Sequence, residues 1–114
     1  MDVIDIKTFI PSKDYEISLS FYAEIGFKSE YVSEDLTLFE NGDCLFLLQR
    51  FYNEDLANNF MLQICVSDID DAFELCSNSK YKTKISPIQQ MPWGKVFYLW
   101  GPSGELLHIT QLGS

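Results

Sequence analysis

The spacing of hydrophobic and polar residues in the first half of the chain predicts one helix among four strands. Residues 3–10 are apolar and rich in β-branched side chains, which favours a strand that ends in the turn at 11–14. The helix that follows has Asp14 as its expected N-cap and Gly26 at its end. Its apolar stripe recurs at i, i+3, i+4 and i+7, at Ser18, Phe21, Tyr22 and Ile25. Three short strands then fit the pattern, at 27–32, 36–40 and 44–49, the last two joined by a tight turn at Asn41-Gly42.

The second half repeats this order. A strand at 60–66 leads into a helix start at 67–70 that resembles a capping box. The helix stripe has the same spacing and consists of Ile69, Ala72, Phe73 and Cys76. A weak strand within 83–88 precedes strands at 95–100 and 106–111, and residues 103–111 match 41–49 in their order of turn and apolar positions. We therefore predict an α+β fold with two βαβββ modules in a single domain, the first at 1–50, a linker at 51–59 and the second at 60–114.

Composition disfavours several classes of function. The chain has 114 residues and a formal net charge of −9, which argues against nucleic acid as a partner because phosphate backbones attract basic surfaces. No apolar run approaches the roughly 18 residues of a membrane span, and the N-terminus lacks a signal-peptide pattern, so we expect a cytoplasmic protein. Cys44, Cys65 and Cys76 lack metal-ligand spacing and sit within apolar runs, so we expect small core residues there.

Two motifs resemble those of a known superfamily. Residues 18–27, Ser-Leu-Ser-Phe-Tyr-Ala-Glu-Ile-Gly-Phe, are similar to the S-x-x-F-Y-x-x-x-G-F segment of the vicinal oxygen chelate superfamily, which includes glyoxalases, bleomycin-resistance proteins and extradiol dioxygenases. Trp93-Gly94 and residues 101–104 resemble the P-W-G and D-P-x-G segments of its bleomycin-resistance-type branch, with Gly101 in place of the usual Asp. The resemblance covers nearly the whole chain. It implies that two βαβββ modules curl into a half-open barrel around a cleft, with the helices outside.

The resemblance also implies where a metal would be held. Metal-dependent relatives use His on the first strand of a module and Glu on its last strand, and these positions correspond to Asp5, Phe46, Met61 and His108. Lys7 is the alternative to Asp5, because the turn after the first strand leaves the register open. Phe46 and Met61 offer no hard ligand, and His108 with one carboxylate falls short of the three or four protein ligands of a zinc-like site. We therefore expect no catalytic metal, no catalytic residue and no cofactor.

Strand alternation predicts which residues line the cleft. It places on equivalent faces of the two modules Cys44, Phe46 and Leu48, and Leu106, His108 and Thr110. Met61 adds adaptable apolar surface, and Trp93 lies in a Pro-Trp-Gly turn that favours a position at the cleft mouth. Tyr98 and Trp100 are either ligand contacts or core residues, since the pattern leaves their parity open. His108, the only histidine, is either a hydrogen-bonded strand residue or a polar contact for a ligand.

Together these features favour a metal-free binding protein of the bleomycin-resistance type, which sequesters a small molecule in an aromatic-lined cleft. Aromatic rings attract cations, and so does an acidic protein, so a cationic antibiotic or another aromatic molecule is the expected ligand. Relatives complete half-open clefts by pairing, which predicts a homodimer. The alternatives are a glyoxalase-like lyase or isomerase that uses His108 or an atypical metal site, and an interaction module without a small-molecule ligand.

Overall fold

The first half of the chain forms a four-stranded sheet with one helix. The computed structural model describes residues 1–113, so Ser114, the last residue of the predicted second module, lies outside the described residues. The elements of this half are β1 Phe9–Pro11, α1 Tyr15–Glu24, β2 Lys28–Ser33, β3 Leu36–Asn41 and β4 Cys44–Gln49. The strand order is β1-β4-β3-β2, with β1 parallel to β4 and the other neighbours antiparallel. We call this the first sheet.

The second half builds an equivalent sheet. Its elements are α2 Glu54–Asn59, β5 Met61–Cys65, α3 Ile69–Ser77, β6 Lys84–Ile85, β7 Gln89–Met91, β8 Gly94–Trp100 and β9 Leu106–Leu112. In this second sheet β5 runs parallel to β9, β9 is antiparallel to β8, and both β6 and β7 pair with β8. The parallel pair followed by an antiparallel pair repeats the order of the first sheet. The predicted α+β class is confirmed.

Three predicted segments differ from the structure. The first strand is Phe9–Pro11 rather than 3–10, and residues 1–8 form no regular element. Pro11 is tolerated because β1 is an edge strand, where a missing N–H costs no ladder hydrogen bond. Pro87, which has no N–H to donate, separates β6 from β7 within the predicted weak strand region. The predicted linker contains α2, whose N-cap is Asn53.

The two longer helices begin and face as the sequence predicts. The Asp14 carboxylate accepts a hydrogen bond from the Ile17 N–H at 3.2 Å, and the whole apolar stripe of α1 is buried. In α3 the cap is Asp68, whose carboxylate accepts from the N–H groups two and three residues further along. Ile69 and Cys76 of the α3 stripe are buried. Within residues 1–113, no helix has the length and apolarity needed to cross a membrane.

An aromatic cluster centred on Tyr22 packs α1 against the first sheet. The Tyr22 ring centroid lies 5.0 Å from that of Phe46 and 5.7 Å from that of Phe39. The rings of Phe39 and Phe46, on neighbouring strands, are stacked 5.3 Å apart. Each aromatic pair contributes about 0.5–1.5 kcal/mol beyond the burial of its area. The side of the first sheet that carries these two phenylalanines is therefore the helix-covered side.

Tyr22 also joins the two halves through a buried hydrogen bond. Its hydroxyl donates to Oε2 of Glu105 at 2.8 Å, and both side chains are 0% exposed. The Ser103 N–H donates to the other carboxyl oxygen, Oε1, at 2.9 Å. The Ser103 hydroxyl in turn accepts from the Lys13 N–H at 2.8 Å, at the start of α1. The loop between β8 and β9 is thus bonded to the helix of the other half.

This loop explains why the chain has Gly101 where the resembling segment has Asp. A Cβ atom built on Gly101 would overlap the Glu105 carboxyl group, which is enclosed and has no free space to move into. The Gly101 N–H donates to the Glu105 carbonyl oxygen at 2.9 Å and closes the turn. Any larger residue at this position would therefore force the buried Glu105 carboxyl group to move and disturb its hydrogen bonds.

The titration of Glu105 should make the unfolding free energy of the protein depend on pH. Burial raises its pKa above the ordinary value of 4.5, so the folded chain holds this proton at a pH where the unfolded chain has lost it. Its contribution to stability is therefore full below the unfolded pKa and decreases as pH rises through the folded pKa. Because glutamine does not ionise, we expect Glu105→Gln to lose less unfolding free energy than the unmodified protein as pH rises above about 4.5.

Urea unfolding at several pH values measures this difference. Glu30→Gln, at an exposed position of β2, is the matched control and should keep the slope of the unmodified protein. Parallel pH profiles for Glu105→Gln and the unmodified protein would contradict the prediction.

Candidate functional site

Each sheet has one face covered by a helix and one open face. In the second sheet, the Phe97 ring lies 5.2 Å from the Phe73 ring of α3, and Leu99, Leu107 and Ile109 are buried with it in the core. Because side chains alternate along a strand, the residues between them point the other way. The open face of the second sheet therefore carries Val96, Tyr98, Trp100, Leu106, His108 and Thr110.

The open face of the second sheet brings together four residues of the predicted site from β8 and β9. Tyr98 lies directly opposite His108 in the strand register, and their ring centroids are 4.9 Å apart in an edge-on arrangement. Trp100, opposite Leu106, lies 6.3 Å from Tyr98 between ring centroids. The parity that the sequence left open is thus settled: Tyr98 and Trp100 share the face of His108.

His108 has an unused polar atom on this face. Its Nε2 atom is buried yet has no hydrogen-bond partner among the described residues. The residue opposite it on β5 is Gln63, which the sequence analysis did not single out. A buried nitrogen without a partner costs about 1–3 kcal/mol, and a ligand that supplies the partner recovers that cost.

The prediction that Phe46 and Leu48 line the cleft is wrong. Both side chains are buried beneath α1, with Phe46 in the Tyr22 cluster. The strand pairing explains the error, because Phe46 lies opposite Phe39 and both face the helix. The residues of β4 that point to the open side are their neighbours Leu45 and Leu47.

The open face of the first sheet is consequently apolar rather than aromatic. It carries half-buried or exposed side chains from three adjacent strands, namely Phe9, Leu36, Leu38, Leu45 and Leu47. These residues are not predicted from the sequence, because β4 is apolar on both faces and shows no alternation. The one available signal is the Asn41-Gly42 turn, which fixes the pairing of β3 with β4 but not which face meets the helix.

The residues at the expected metal positions do not fit a metal. Met61 is exposed and lies opposite Leu106, so it does not face His108. Asp5 precedes β1 and forms an ion pair with Lys7, whose hydrogen bond lowers the pKa of the Asp5 carboxyl. Among residues 1–113, no three His, Cys, Asp or Glu side chains come together as a metal site. The donors near His108 are an amide and a phenol, which are poor ligands for a zinc-like ion.

Cys44 and Cys76 lie on the helix side, whereas Cys65 pairs with Thr110 and its thiol donates to Oε1 of Gln63 at 3.5 Å. Cys44 and Cys65, at strand ends, are exposed, so their prediction as core residues is wrong, whereas Cys76 is buried as predicted. All three line a cavity of about 370 Å³ between the two halves on the helix side, together with Ile25 and Leu75. Burial raises the pKa of the Cys76 thiol to about 11, which keeps it protonated and a weak nucleophile.

Trp93 lies in the turn between β7 and β8. Its indole is 47% exposed, and its carbonyl oxygen accepts a hydrogen bond from the Gly113 N–H at 3.0 Å. The turn is thus held at its backbone while the ring reaches solvent. This position leaves the ring available to a ligand without placing it on the open face.

Comparison with solved structures identifies the fold of the chain. No protein-family model matches the sequence, and no curated protein matches it either. Solved structures do match over nearly the whole chain, and the fold they share is the glyoxalase/bleomycin resistance fold. The fold implied by the two sequence motifs is therefore confirmed.

Three of the matching structures belong to proteins with different described functions. TnmS3, an antibiotic binding protein from Streptomyces sp. CB03234, is 16% identical over 99% of each chain, with a TM-score of 0.82. A bleomycin-binding protein from Streptomyces verticillus, complexed with copper(II)-bleomycin, is 20% identical, with a TM-score of 0.80 and coverage of 100% of this chain and 99% of that one. A lactoylglutathione lyase from Agrobacterium tumefaciens is 12% identical, with a TM-score of 0.72 and coverage of 96% and 95%. Binding proteins and an enzyme share the fold, so the site must decide between them.

The face assignment can be tested by paired substitutions in β4. Phe46→Ala should cost about 3–5 kcal/mol of unfolding free energy, since it empties a closed aromatic core. Leu47→Ala, on the open face, should cost only about 1 kcal/mol, because that side chain is half-buried and has solvent beside it. Urea unfolding of the two variants gives the comparison. Equal costs would mean that both faces of β4 are packed.

Proposed function

We propose that this protein binds a small planar aromatic molecule on the open face of its second sheet and sequesters it without turnover, as bleomycin-resistance-type proteins do. One observation carries the proposal. Among residues 1–113, the buried Nε2 atom of His108 has no hydrogen-bond partner, and it lies beside Tyr98 on the same face as Trp100. Aromatic rings grouped with one unsatisfied polar atom are typical of a site that orients a flat ligand.

The chemistry of this face supports binding rather than catalysis. His108 is the only histidine, and its cross-strand neighbours Tyr98 and Gln63 supply neither a carboxylate to orient it nor a nucleophile for it to activate. The residues at the expected metal positions supply too few ligands, so a metal-free protein is part of the proposal. Sequestration in the cytoplasm needs only affinity.

The names of the structural neighbours agree with this choice. Two of them are described as binding bleomycin or an antibiotic, which motivates an antibiotic-like ligand here. We propose no particular antibiotic, because the aromatic rings and His108 carry the argument and other flat molecules offer the same surface. Trp93, at the other end of β8 from Trp100, is proposed as a rim contact for a ligand long enough to reach it, and Leu106 and Met61 as apolar surface beside Trp100.

We propose further that two copies of the chain complete the site. The open face of the first sheet is apolar and uncovered by any helix, and the segment before β1 exposes Val3, Ile4 and Ile6. Contiguous exposed apolar surface of this kind marks an interaction site. A two-fold pairing in which the first sheet of one copy faces the second sheet of the other would cover both faces. Within each copy one continuous core spans both halves, which supports a single domain over 1–114.

Binding can be measured through the two tryptophans. A thermal-shift screen of bleomycin and planar aromatic antibiotics selects a ligand, and titration should then quench intrinsic fluorescence. Trp100→Ala should weaken binding by about 1–3 kcal/mol, as expected for loss of a stacking ring. Trp93→Ala should weaken it by about 1 kcal/mol, because a half-exposed ring contributes less.

Tyr31→Ala, which removes an exposed ring from β2, is the matched control and should bind normally. Normal affinity in both tryptophan variants would remove the aromatic site from the proposal. If no compound in the screen shifts the melting temperature, the interaction-module alternative replaces it.

Assembly and metal content form a separate test. Sedimentation at micromolar concentration should show a dimer, and elemental analysis after dialysis should show less than one divalent ion per chain. Leu47→Glu places a charge on the apolar open face and should shift the equilibrium to monomer, whereas Glu74→Gln, at an exposed position of α3, should not. A tightly held stoichiometric metal would favour the lyase or isomerase alternative.

A further inference from the structure

The second sheet is free of acidic residues, although the protein as a whole is strongly acidic. The strands β5 to β9 contain no Asp or Glu, and their charged residues are Lys84 and Lys95. The formal net charge of the chain is −9, so this sheet differs sharply from the rest of the surface. The protein as a whole is therefore negatively charged, whereas the charged residues on the strands of the proposed site are positive.

The acids of the second half lie elsewhere. Glu54 and Asp55 lie in the first turn of α2, and Asp68, Asp70, Asp71 and Glu74 belong to the start and first turns of α3, on the covered side of the sheet. Glu105 is fully buried and bonded to Tyr22. None of these carboxylates belongs to a strand of the second sheet, so its strands supply no counter-ion for a cation.

Lys84 is the charged residue that does lie on this face. It is directly opposite Trp100 in the β6–β8 pairing, and its Nζ atom lies 4.9 Å from the centre of the Trp100 ring. It makes no ion pair with any residue of the described chain. The ring that would attract a cationic ligand thus already has a lysine above it, and the ammonium group is available to an anion.

The open face of the first sheet supplies little negative charge that could attract a cation. Its open-face charges are Lys28, Glu30 and Glu40, and the first and last of these lie opposite each other in the β2–β3 pairing. Glu30 is on β2, the outer strand, three strands away from β1 in the sheet order. Of these three open-face charges, Glu30 is therefore the one carboxylate without an opposite charge across the strand pairing.

We propose that the ligand is an aromatic anion, whose ring stacks on Tyr98 and Trp100 and whose carboxylate, sulfonate or phosphate pairs with Lys84. This inference rests on the proposed binding function and replaces the cationic ligand that the net charge alone favoured. Lys84 is then the residue that determines specificity. A charge-assisted hydrogen bond from its ammonium group holds the anionic end, while the rings hold the flat end.

Three probes with the same ring system test the charge preference. Isothermal titration calorimetry compares 2-naphthoate, 2-naphthalenemethanol and 2-naphthylmethylamine, which are anionic, neutral and cationic near neutral pH. We expect 2-naphthoate to bind at least about 3-fold more tightly than the alcohol, and the amine to bind most weakly. The overall charge of the protein repels the anion, so such a preference must come from the local site.

Substitutions assign the preference to one residue. Lys84→Gln should abolish the difference between the anion and the alcohol, and Lys84→Arg should keep it. Lys95→Gln changes the net charge equally but lies on the other parity of β8, so it should retain the preference.

The outcomes separate the two proposals. An amine that binds as tightly as the naphthoate, or an anion preference that persists in Lys84→Gln, overturns the inference and leaves the binding function standing. Absence of binding by all three probes overturns both, because even the neutral ring should stack on Tyr98 and Trp100.

Discussion

The hydrogen bond between Tyr22 and Glu105 is the interaction on which the arrangement of the two halves depends. A carboxyl group with no solvent access is costly to bury, and its cost is offset only while both oxygens have donors. Tyr22 supplies one donor from α1, and the Ser103 N–H supplies the other from within the loop. Because burial also raises the Tyr22 pKa well above its usual range, the phenol keeps its proton and remains a donor. This hydrogen bond therefore holds the two halves in one orientation, because loss of either side chain leaves the other buried polar group without its partner.

The two sequence motifs that resemble the superfamily meet at this bond. Ser18 and Tyr22 belong to the first motif, Ser103 to the second, and the Ser18 and Ser103 hydroxyl oxygens lie 3.4 Å apart. These residues join helix to loop and touch neither open face. The motifs therefore identify an architecture and not a chemistry, which accounts for antibiotic-binding proteins and a lyase having the same fold.

The sequence predicts the helices well and the strand faces poorly, for a physical reason. The stripes of α1 and α3 recur with helical period and begin after capping aspartates, so both were predicted correctly. Residues 44–48 are all apolar, and a strand apolar on both sides gives no indication of which side meets the helix. When residues 41–49 are aligned with 103–111 by residue type, Phe46 matches His108. In the structure, the two side chains point to different faces of their sheets. Lys84 was missed because only the pairing of β6 with β8 brings it to Trp100.

Gly101 and Glu105 constrain how the sequence of this loop can change over time. A side chain at 101 collides with the carboxyl group, while loss of the carboxyl group leaves the Tyr22 hydroxyl without its acceptor. Each substitution is thus harmful on the background of the other residue, so the two positions are epistatic. A lineage that gains Asp at 101 therefore needs a shorter or redirected side chain at 105 as well, and the Tyr22 hydroxyl then needs another acceptor.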